Sequence, residues 1–330
     1  MSGSSRRLAV VASAFAVLAL TATACSEPTA ESQVVTEDGG SFDLSPEQAD
    51  RVRAQKVDDI AAEVPQAIRD RGTLIVTGAG GTAPPLRFYA TDDTTIVGSE
   101  VDFSYLIADI LGLDVDLQVA DWSQNFVKID SGENDVFISN VTVTEERKDK
   151  YDFATYRLDN LAFEAQKDTD WTVEKRQDIA GKKIGVGSGT NQEQLLVDWN
   201  EQNVAEGLAP AEIAYYQNTS DYYLALGSGR IDGYLGPNPS AVYHAATGGE
   251  TKIIGTFSGA GDALQGEIAV LTKKDNGLID AVQDAVNHAI EDGSYQKVID
   301  RWGLQSEAVT ESVINPPGLP RKEGQTTEQS

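Results

Sequence analysis

The chain has 330 residues, of which 52 are acidic and 26 are basic, so its formal net charge is −26. A chain this acidic repels phosphate backbones, which excludes nucleic acid as an expected partner. It contains two histidines and one cysteine and no nucleotide-binding P-loop motif, so we expect no disulfide, no metal site, no Ser-His-Asp triad and no cofactor.

The first 24 residues have the pattern of a bacterial export signal. Arg6 and Arg7 form a positive start, an uncharged stretch follows, and small residues come directly before Cys25. Cutting before Cys25 would leave the N-terminal cysteine that lipoprotein processing requires, and residues 20–25 loosely resemble a lipobox. We therefore predict a signal peptide over 1–24, a lipidated Cys25 and a location at the extracytoplasmic face of the cell membrane. A plain secretory signal with a coincidental cysteine is the alternative, and Sec and Tat export both stay open.

Both ends of the remaining chain have little apolar material to bury. Residues 26–50 are rich in Ser, Glu, Thr, Gly and Asp, so we predict that 25–60 comprises the lipidated cysteine and a flexible tether. Residues 304–330 carry three prolines and a polar end, and we predict a flexible tail there.

A first series of strands and helices follows the tether. Residues 74–77 form a short apolar run that ends at glycines, which predicts a buried strand. Residues 101–111 place their apolar side chains on one helix face, and Gly112 stands where such a helix ends. The same patterns predict, in order, a strand over 115–119, a helix over 123–130 and a strand over 136–138.

A second series repeats the arrangement after Trp171. Residues 183–186 predict a strand, 187–189 a glycine turn and 191–199 a helix. The later elements are a strand over 211–216, a helix over 220–226, a strand over 231–235 and two helical pieces within 278–302, separated at Gly293. Two successive series of this kind indicate an α/β protein with two lobes, each built on an open sheet.

The glycine turn at 187–189 leads into its helix through Thr190, Asn191 and Gln192. Free backbone N–H groups at a helix start favour an anion such as a carboxylate. An ordinary helix cap by Thr190 or Asn191 is the alternative, and these residues alone leave the two equally open.

Polar residues also follow the strand over 136–138. Asn140 and Thr142 alternate with valines at a strand end, where open α/β sheets bind ligands. Arg147, just beyond, could clamp a carboxylate with two parallel hydrogen bonds. Its position in the charged run 145–150 favours the alternative, a solvated surface arginine, when composition is the only guide.

A set of short segments occurs in a fixed order along the chain. They are Arg71-Gly-Thr-Leu-Ile-Val76, Ala83-Pro-Pro-Leu86, Gly98-Ser-Glu-Val-Asp-Phe103, Trp122, Ser131-Gly-Glu-Asn-Asp135, Thr144-Glu-Glu-Arg147, Tyr151-Asp-Phe153, the glycine-rich stretch 181–190, Gly229-Arg-Ile-Asp232, Gly293-Ser-Tyr295 and Arg301-Trp-Gly303. No single segment is specific. The ordered set, which spans about residues 65–303, resembles the family 3 solute-binding proteins of polar amino acid ABC transporters.

The resemblance implies a two-lobed clamp of the type II periplasmic-binding-protein kind, in which each lobe is an open mixed sheet flanked by helices. Lobe 1 would comprise 61–165 plus 266–303 and lobe 2 would comprise 169–262, with two hinge crossings. Such a protein is the extracytoplasmic binding component of an ABC importer and captures a small amino-acid-like or carboxylate-bearing solute. A membrane permease would receive the solute, and a separate subunit would hydrolyse ATP. The binding protein itself would be a lipid-anchored monomer and not an enzyme.

The resemblance also carries over seven ligand-binding positions. Arg147 matches the arginine that holds the ligand α-carboxylate. The other six are polar or aromatic cleft residues: Asn140, Thr142, Thr190, Asn191, Gln192 and Trp122. For Trp122, a role as a core anchor is equally open.

One departure from the family pattern concerns the α-ammonium group of the ligand. The family places an aspartate opposite this group, and here Pro237 occupies that place. A buried ammonium needs a charged or hydrogen-bonded partner. We therefore expect either that another acid, such as Glu100 or Glu267, serves it or that the ligand lacks this group. The alternative is that backbone carbonyls near Gly236 suffice. The departure favours a modified amino acid or a small organic or sulfur-containing acid.

Two other functions stay open on the same fold. Some relatives are cyclohexadienyl-dehydratase-like enzymes that use a cleft carboxylate, and turnover of a cyclic prephenate-like acid would identify one. The other is a sensor-type binding module, for which the chain offers no signalling segment of its own.

Overall fold

The computed structural model of the chain describes residues 33–35, 41–81 and 83–321. The predicted signal peptide, Cys25 and the first part of the predicted tether lie outside these residues, as does the end of the predicted tail. Along the described part of the chain, no helix is both long enough and apolar enough to cross a membrane.

Strands and helices alternate through the described chain. The strands are β1 (Gln33–Val35), β2 (Ser41–Asp43), β3 (Thr73–Gly78), β4 (Phe88–Tyr89), β5 (Ile96–Val97), β6 (Asp114–Val119), β7 (Val136–Phe137), β8 (Tyr151–Gln166), β9 (Lys183–Gly187), β10 (Glu212–Tyr216), β11 (Gly233–Pro237), β12 (Thr251–Ser258) and β13 (Gly266–Lys273). The helices are α1 (Asp58–Glu63), α2 (Gln66–Arg71), α3 (Ser99–Leu111), α4 (Trp122–Ser131), α5 (Asn191–Ala205), α6 (Thr219–Gly227), α7 (Asn238–Gly248), α8 (Ile279–Asp292) and α9 (Ser294–Arg301). Each strand and helix predicted from the sequence is present, and the α/β class is confirmed.

Strand β8 joins two groups of strands into one sheet. The strand order is β10-β9-β11-β8-β13-β7-β3-β6, and β12 also pairs with β8. The first half of β8, up to Asp159, pairs with β13, whereas the second half, from Asn160, pairs with β12 and β11. The chain therefore leaves lobe 1 within β8 and returns between Ser258 and Gly266, which makes the two crossings of a two-lobed clamp.

The core of lobe 1 lies between its part of the sheet and helices α3, α8 and α9. Strand β3 is buried along most of its length, as apolar strands of parallel sheets are. Helix α3 buries Phe103, Leu106 and Ile110 in this core. The helix ends at Gly112, whose φ of 68° lies in the left-handed region that glycine adopts without strain.

The core of lobe 2 is centred on three aromatic rings. Phe163 of β8 stacks on Trp199 of α5 with ring centroids 6.1 Å apart, and Phe257 of β12 meets both rings edge-on. Helix α5 begins after Thr190, whose hydroxyl accepts the N–H of Glu193 at 3.2 Å. This packing holds the turn between β9 and α5 against the lobe.

The first lobe boundary differs from the sequence-based prediction. The prediction assigns 61–165 to lobe 1, but residues 161–165 pair with β11 and β12, which are strands of lobe 2. The physical reason is that β8 runs through the hinge as one unbroken strand, so no turn marks the boundary in the sequence. The other limits of the two lobes stay a prediction.

Residues 42–57, which we call the N-terminal arm, do not form the predicted flexible tether. Phe42 is buried against Trp302 of lobe 1, with ring centroids 5.6 Å apart. The Nε of Arg51 donates to Oδ1 of Asp102 at 2.9 Å, and Asp102 is buried. A few well-placed contacts therefore order a segment whose overall composition is polar.

Residues 304–321, which we call the C-terminal segment, do not form a flexible tail either. The carboxylate of Glu307 is buried and forms an ion pair with Arg157 of β8. Further along, the carbonyl of Leu319 accepts the N–H of Glu145 at 2.9 Å. The prolines of this segment favour an extended path, and that path lies on lobe 1 instead of leaving it.

Candidate functional site

A cavity of about 640 Å³ lies between the two lobes. Lobe 1 borders it with the loops that follow β3, β6 and β7, and lobe 2 with the turn after β9, the loop after β10 and the end of β11. These are carboxyl ends of strands, which is where open α/β sheets bind ligands. The volume falls within the range of small-molecule sites, roughly 300–1,000 Å³.

Aromatic rings form much of the cavity wall. Lobe 1 supplies Tyr89 and Trp122, and lobe 2 supplies Tyr216, Tyr222 and Tyr234. The rings of Tyr222 and Tyr234 stack with centroids 3.6 Å apart and planes 6° apart. Burial raises the pKa of both hydroxyl groups, that of Tyr222 to about 12, so both are neutral at physiological pH. This wall suits an apolar or planar part of a ligand.

Most of the predicted binding residues lie in this wall. They are Asn140, Thr190, Asn191, Gln192 and Trp122. The structure thus brings together, from both lobes, side chains that are far apart in the sequence. Their contact with a ligand stays a prediction.

The turn before α5 uses part of its hydrogen-bonding capacity internally. The hydroxyl of Thr190 donates to the carbonyl of Gly187 at 2.8 Å and accepts the N–H of Glu193, so Thr190 is also the helix cap. The Nδ2 of Asn191 donates to Oδ2 of Asp159 at 2.9 Å. What this turn offers a ligand is therefore the first N–H groups of the helix and the side chain of Gln192.

Asn140 has a backbone conformation that few residues other than glycine adopt. Its φ is 54°, in the left-handed region that asparagine tolerates better than most residues. Its Oδ1 accepts a hydrogen bond from Arg157 at 2.5 Å. The Nδ2 group of Asn140 is therefore the part of the amide that can donate a hydrogen bond to a ligand.

Arg147 and Thr142 do not line the cavity in this conformation. The Arg147 guanidinium donates to the carbonyls of Thr142 at 2.8 Å and Gly189 at 3.2 Å, and lies 5.5 Å from the Trp122 ring centroid. The hydroxyl of Thr142 donates to Oδ2 of Asp159 at 2.7 Å. Burial lowers the pKa of Arg147 to about 10, which leaves it charged at neutral pH. The ligand-binding roles of both residues stay predictions.

Hydrogen bonds between the lobes cross the cleft. The carbonyl of Gly189 in lobe 2 accepts from Trp122 Nε1 at 3.0 Å and from Arg147 at 3.2 Å, both in lobe 1. At another point, the hydroxyl of Thr219 in lobe 2 donates to the carbonyl of Gly81 in lobe 1 at 3.1 Å. The clamp is therefore closed in this structure.

Neither acid considered as a substitute for the missing aspartate lines the cavity. Glu100 is buried and accepts from Arg157 at 2.9 Å. Glu267 lies on β13 of lobe 1, and burial raises the pKa of its carboxyl. Pro237 itself lines the cavity.

The sequence reasoning missed part of the wall. Among the described residues, the charged side chains that line the cavity are Asp121 and Lys128. Asp121 comes shortly after the end of β6, so the strand-end rule that identified Asn140 could have found it. The tyrosines of lobe 2 gave no comparable signal, because their spacing is also that of ordinary core residues. Over the same described residues, no group of three or more His, Cys, Asp or Glu side chains is placed to hold a metal ion.

Comparison with known proteins gives consistent matches. A family model described as bacterial extracellular solute-binding proteins, family 3, matches residues 75–305. The chain is 34% identical to the L-cystine-binding protein TcyJ of Escherichia coli (strain K12) over 236 residues, which cover 71% of this chain and 84% of that protein. It is 26% identical to the arginine-binding protein ArgT of Corynebacterium glutamicum over 277 residues, which cover 83% of this chain and 88% of that protein.

Solved structures with the same architecture exist. An ancestral arginine-binding protein bound to arginine matches with a TM-score of 0.63 and 29% sequence identity. The match covers 70% of this chain and 98% of that one. This likeness confirms the two-lobed type II clamp.

Proposed function

Because this chain belongs to the bacterial extracellular solute-binding proteins of family 3, we propose that it captures an amino acid or a close analogue between its lobes and delivers it to the permease of an ABC importer. The observation that carries this proposal is the cavity of about 640 Å³ at the strand ends of both lobes. A site divided between two lobes is occupied fully only when the lobes close, so a ligand favours the closed clamp. The permease would recognise that closed state, and a separate subunit would hydrolyse ATP.

The clamp would open and close about its two crossings. Strand β8 passes between the lobes at Asp159 and Asn160, and the return crossing lies between Ser258 and Gly266. Opening would break the hydrogen bonds to the carbonyl of Gly189 across the cleft. Closure around a ligand would restore them and expel water from the aromatic wall.

We propose L-cystine as the first ligand to test. It has two polar amino-acid ends joined by an apolar disulfide, and the cavity combines amide side chains with a wall of aromatic rings. Sulfur makes favourable contacts with aromatic rings, roughly 0.3–1.5 kcal/mol each. The relative at 34% identity carries the name L-cystine-binding protein. L-Cystine carries two α-ammonium groups, so the replacement of the family aspartate by Pro237 does not by itself favour it.

L-Arginine is the second candidate. Its planar guanidinium could stack on the faces of Tyr222 and Tyr234. A protein named for arginine binding is among the relatives, at 26% identity. The two ligands make different demands, because arginine brings a positive side chain and cystine a second zwitterionic end.

Calorimetry and thermal melting of the purified chain test the proposal. We expect L-cystine to bind with a dissociation constant in the micromolar range or below, and to raise the melting temperature by mass action. 3,3′-Dithiodipropionate, which is cystine without its amino groups, is the matched control for the missing aspartate. Equal binding of the two would mean that the α-ammonium is not recognised. Failure of every amino acid and analogue to bind would contradict the proposed function.

We propose further that the chain is a binding protein and not an enzyme. Dehydration of a prephenate-like acid on this fold needs a carboxylate in the cleft. The acids considered for that role, Glu100 and Glu267, lie outside the cavity wall, and Asp121 is the carboxylate that lines it among the described residues. Incubation with prephenate, followed by absorbance of the aromatic product, is the test. Product formation at a rate proportional to protein concentration would make the chain an enzyme.

We also propose that Cys25 carries a lipid anchor and that the monomer works at the extracytoplasmic face of the cell membrane. The support is the signal-like N-terminus with its loose lipobox and the family's extracellular location.

A further inference from the structure

The N-terminal arm is fastened to lobe 1 by polar contacts with α3 and α9. The Nε of Arg51 donates to Oδ1 of Asp102 at 2.9 Å, and Asp102 is buried. Oε1 of the buried Gln48 accepts from Arg301 at 2.8 Å. The arm therefore moves with lobe 1.

The first residue of the arm also contacts lobe 2. The ring of Phe42 lies between Trp302 of lobe 1, at 5.6 Å between centroids, and Tyr243 of α7 in lobe 2, at 5.7 Å. The Phe42 and Tyr243 rings are nearly parallel, with planes 18° apart. Only 4% of Phe42 is exposed, so the arm fills the space between the lobes at this point.

Helix α7 connects this contact to the cleft. Ser240 precedes Tyr243 by three residues, which places both side chains on the same helix face. The hydroxyl of Ser240 donates to the carbonyl of Ala83 in lobe 1 at 3.1 Å, and both Ser240 and Pro237 line the cleft cavity. The contact of Phe42 with Tyr243 therefore fixes the position of α7, which closes one side of the ligand site.

The seam around Phe42 is otherwise loosely packed. A second cavity of about 1010 Å³ borders Phe42, Tyr243 and Trp302. Phe42 itself belongs to the core of lobe 1, so replacing it also lowers the stability of that lobe, whereas Tyr243 of lobe 2 is half-buried and packs against the edge of that core.

We propose that the N-terminal arm is a latch, in which Phe42 bound to Tyr243 stabilises the closed clamp and positions α7 at the ligand site. Phe42 would thus affect ligand affinity although it does not line the cleft. The latch rests on the proposed function, because it requires a clamp that opens and closes as a solute-binding protein does. The lobe distance can be measured without ligand, so a failure of the latch is distinct from a failure of the ligand proposal.

The distance between the lobes is the readout. Cys25 is the only cysteine, so Cys25→Ser in the full chain removes the native thiol. Val127→Cys on α4 and Leu224→Cys on α6 then place one spin label on each lobe, at positions that are 55% and 64% exposed. Double electron–electron resonance without ligand gives the populations of closed and open clamp.

Phe42→Ala and Tyr243→Ala should each shift the distances toward the open form. We expect the ratio of closed to open molecules to fall roughly 3- to 10-fold, which is the scale of one aromatic pair. The double variant should be no more open than either single variant, because both remove the same contact.

Leu44→Ala is the control, since Leu44 belongs to the arm but packs against the core of lobe 1. It should lower the melting temperature and leave the distances unchanged.

Distances that stay the same in a cooperatively folded Phe42→Ala variant would overturn the latch. If that variant does not fold, Tyr243→Ala tests the same contact from a half-buried position on α7, and unchanged distances there would equally overturn it. A titration with L-cystine adds a second readout: the latch predicts weaker binding in both variants and unaltered binding in Leu44→Ala.

Discussion

Arg147 is a residue whose partners would change when a ligand binds. In the closed structure its guanidinium donates to two neutral carbonyls, those of Thr142 and Gly189. A ligand carboxylate is a charged acceptor and forms a stronger hydrogen bond. We expect Arg147→Ala to weaken binding of L-cystine by about 3–5 kcal/mol, because a carboxylate enclosed in the cleft would lose its charged partner. Titration calorimetry measures the change.

The matched control for this prediction is Lys148→Ala. The Lys148 ammonium donates to the carbonyl of Pro316 at 3.0 Å, away from the cleft. Its removal should leave the affinity within about twofold. Unchanged affinity in a folded Arg147→Ala variant would mean that Arg147 does not bind the ligand.

Glu307 is a carboxyl group that the folded chain buries beside Arg157. Burial raises the pKa of Glu307 from 4.5 to about 7, although the charge of Arg157 opposes the rise. Because the folded-state pKa is above the unfolded one, the stability that this group contributes is present at low pH. It is lost as the pH rises from about 4.5 through 7.

Glu307→Gln removes this titration and isolates its effect. The unfolding free energy of the variant minus that of the parent should increase between about pH 4.5 and pH 8, by at most ~3 kcal/mol. Urea unfolding at a series of pH values measures both curves. Two parallel pH profiles would mean that Glu307 keeps an ordinary pKa in the folded chain.

At the residue scale, local sequence rules identified the side chains that follow strand ends. Asn140 and the turn 190–192 lie in the cavity wall for this reason. The same rules could not identify partners that only the folded chain brings together. Arg157 and Glu307 are 150 residues apart, and nothing in either neighbourhood signals the other.

At the scale of elements, β8 is the longest of the strands that the sequence patterns did not identify, and β12 and β13 are others. Strand β8 is 16 residues long, and Arg157, Asp159 and Glu164 interrupt its apolar residues. All three are buried and have partners on other segments, such as Thr142 for Asp159 and Thr251 for Glu164. A periodicity argument treats such residues as exposed, so it could not recognise a strand that is buried on both faces.

The C-terminal segment provides a prediction at this scale. Ending the chain after Gly303 removes Glu307 and leaves Arg157 buried with Glu100 as its remaining carboxylate partner. Losing one member of a buried ion pair typically costs about 3–5 kcal/mol, and we expect a loss of at least that size in urea unfolding. Ending the chain after Arg321 is the control, because it keeps the contacts described above. Equal stability of the two shortened chains would restore the prediction of a free tail.

At the scale of the whole molecule, the charge and the anchor act in opposite directions. The net charge of −26 repels an anionic membrane surface, and the described residues contain no helix able to span a membrane. If Cys25 carries the lipid, the lipid holds the body at the membrane against this repulsion. We expect Cys25→Ser to move the protein from the membrane fraction to the soluble fraction with its ligand affinity unchanged.

Cell fractionation with a high-salt wash checks this, and Ser26→Ala, at the next residue, is the matched control. A Cys25→Ser protein that stays with washed membranes would place the anchor elsewhere.

The two-lobed plan itself was accessible from the sequence, because two strand–turn–helix series and an ordered set of family segments both point to it. The closed state and the two packed ends were not, since both depend on contacts between distant segments.

Because Trp122 donates a hydrogen bond to the carbonyl of Gly189 across the cleft, intrinsic tryptophan fluorescence should report whether the clamp is open or closed. Trp122 is one of four tryptophans, and the other three, Trp171, Trp199 and Trp302, belong to the cores of the lobes. Opening would break the 3.0 Å bond at Nε1 and hydrate the indole ring. The emission maximum of the open form should therefore lie at longer wavelength, and a captured solute should shift it back. Trp122→Phe should abolish that shift. Closure of the clamp can therefore be followed in a fluorimeter with an unlabelled sample.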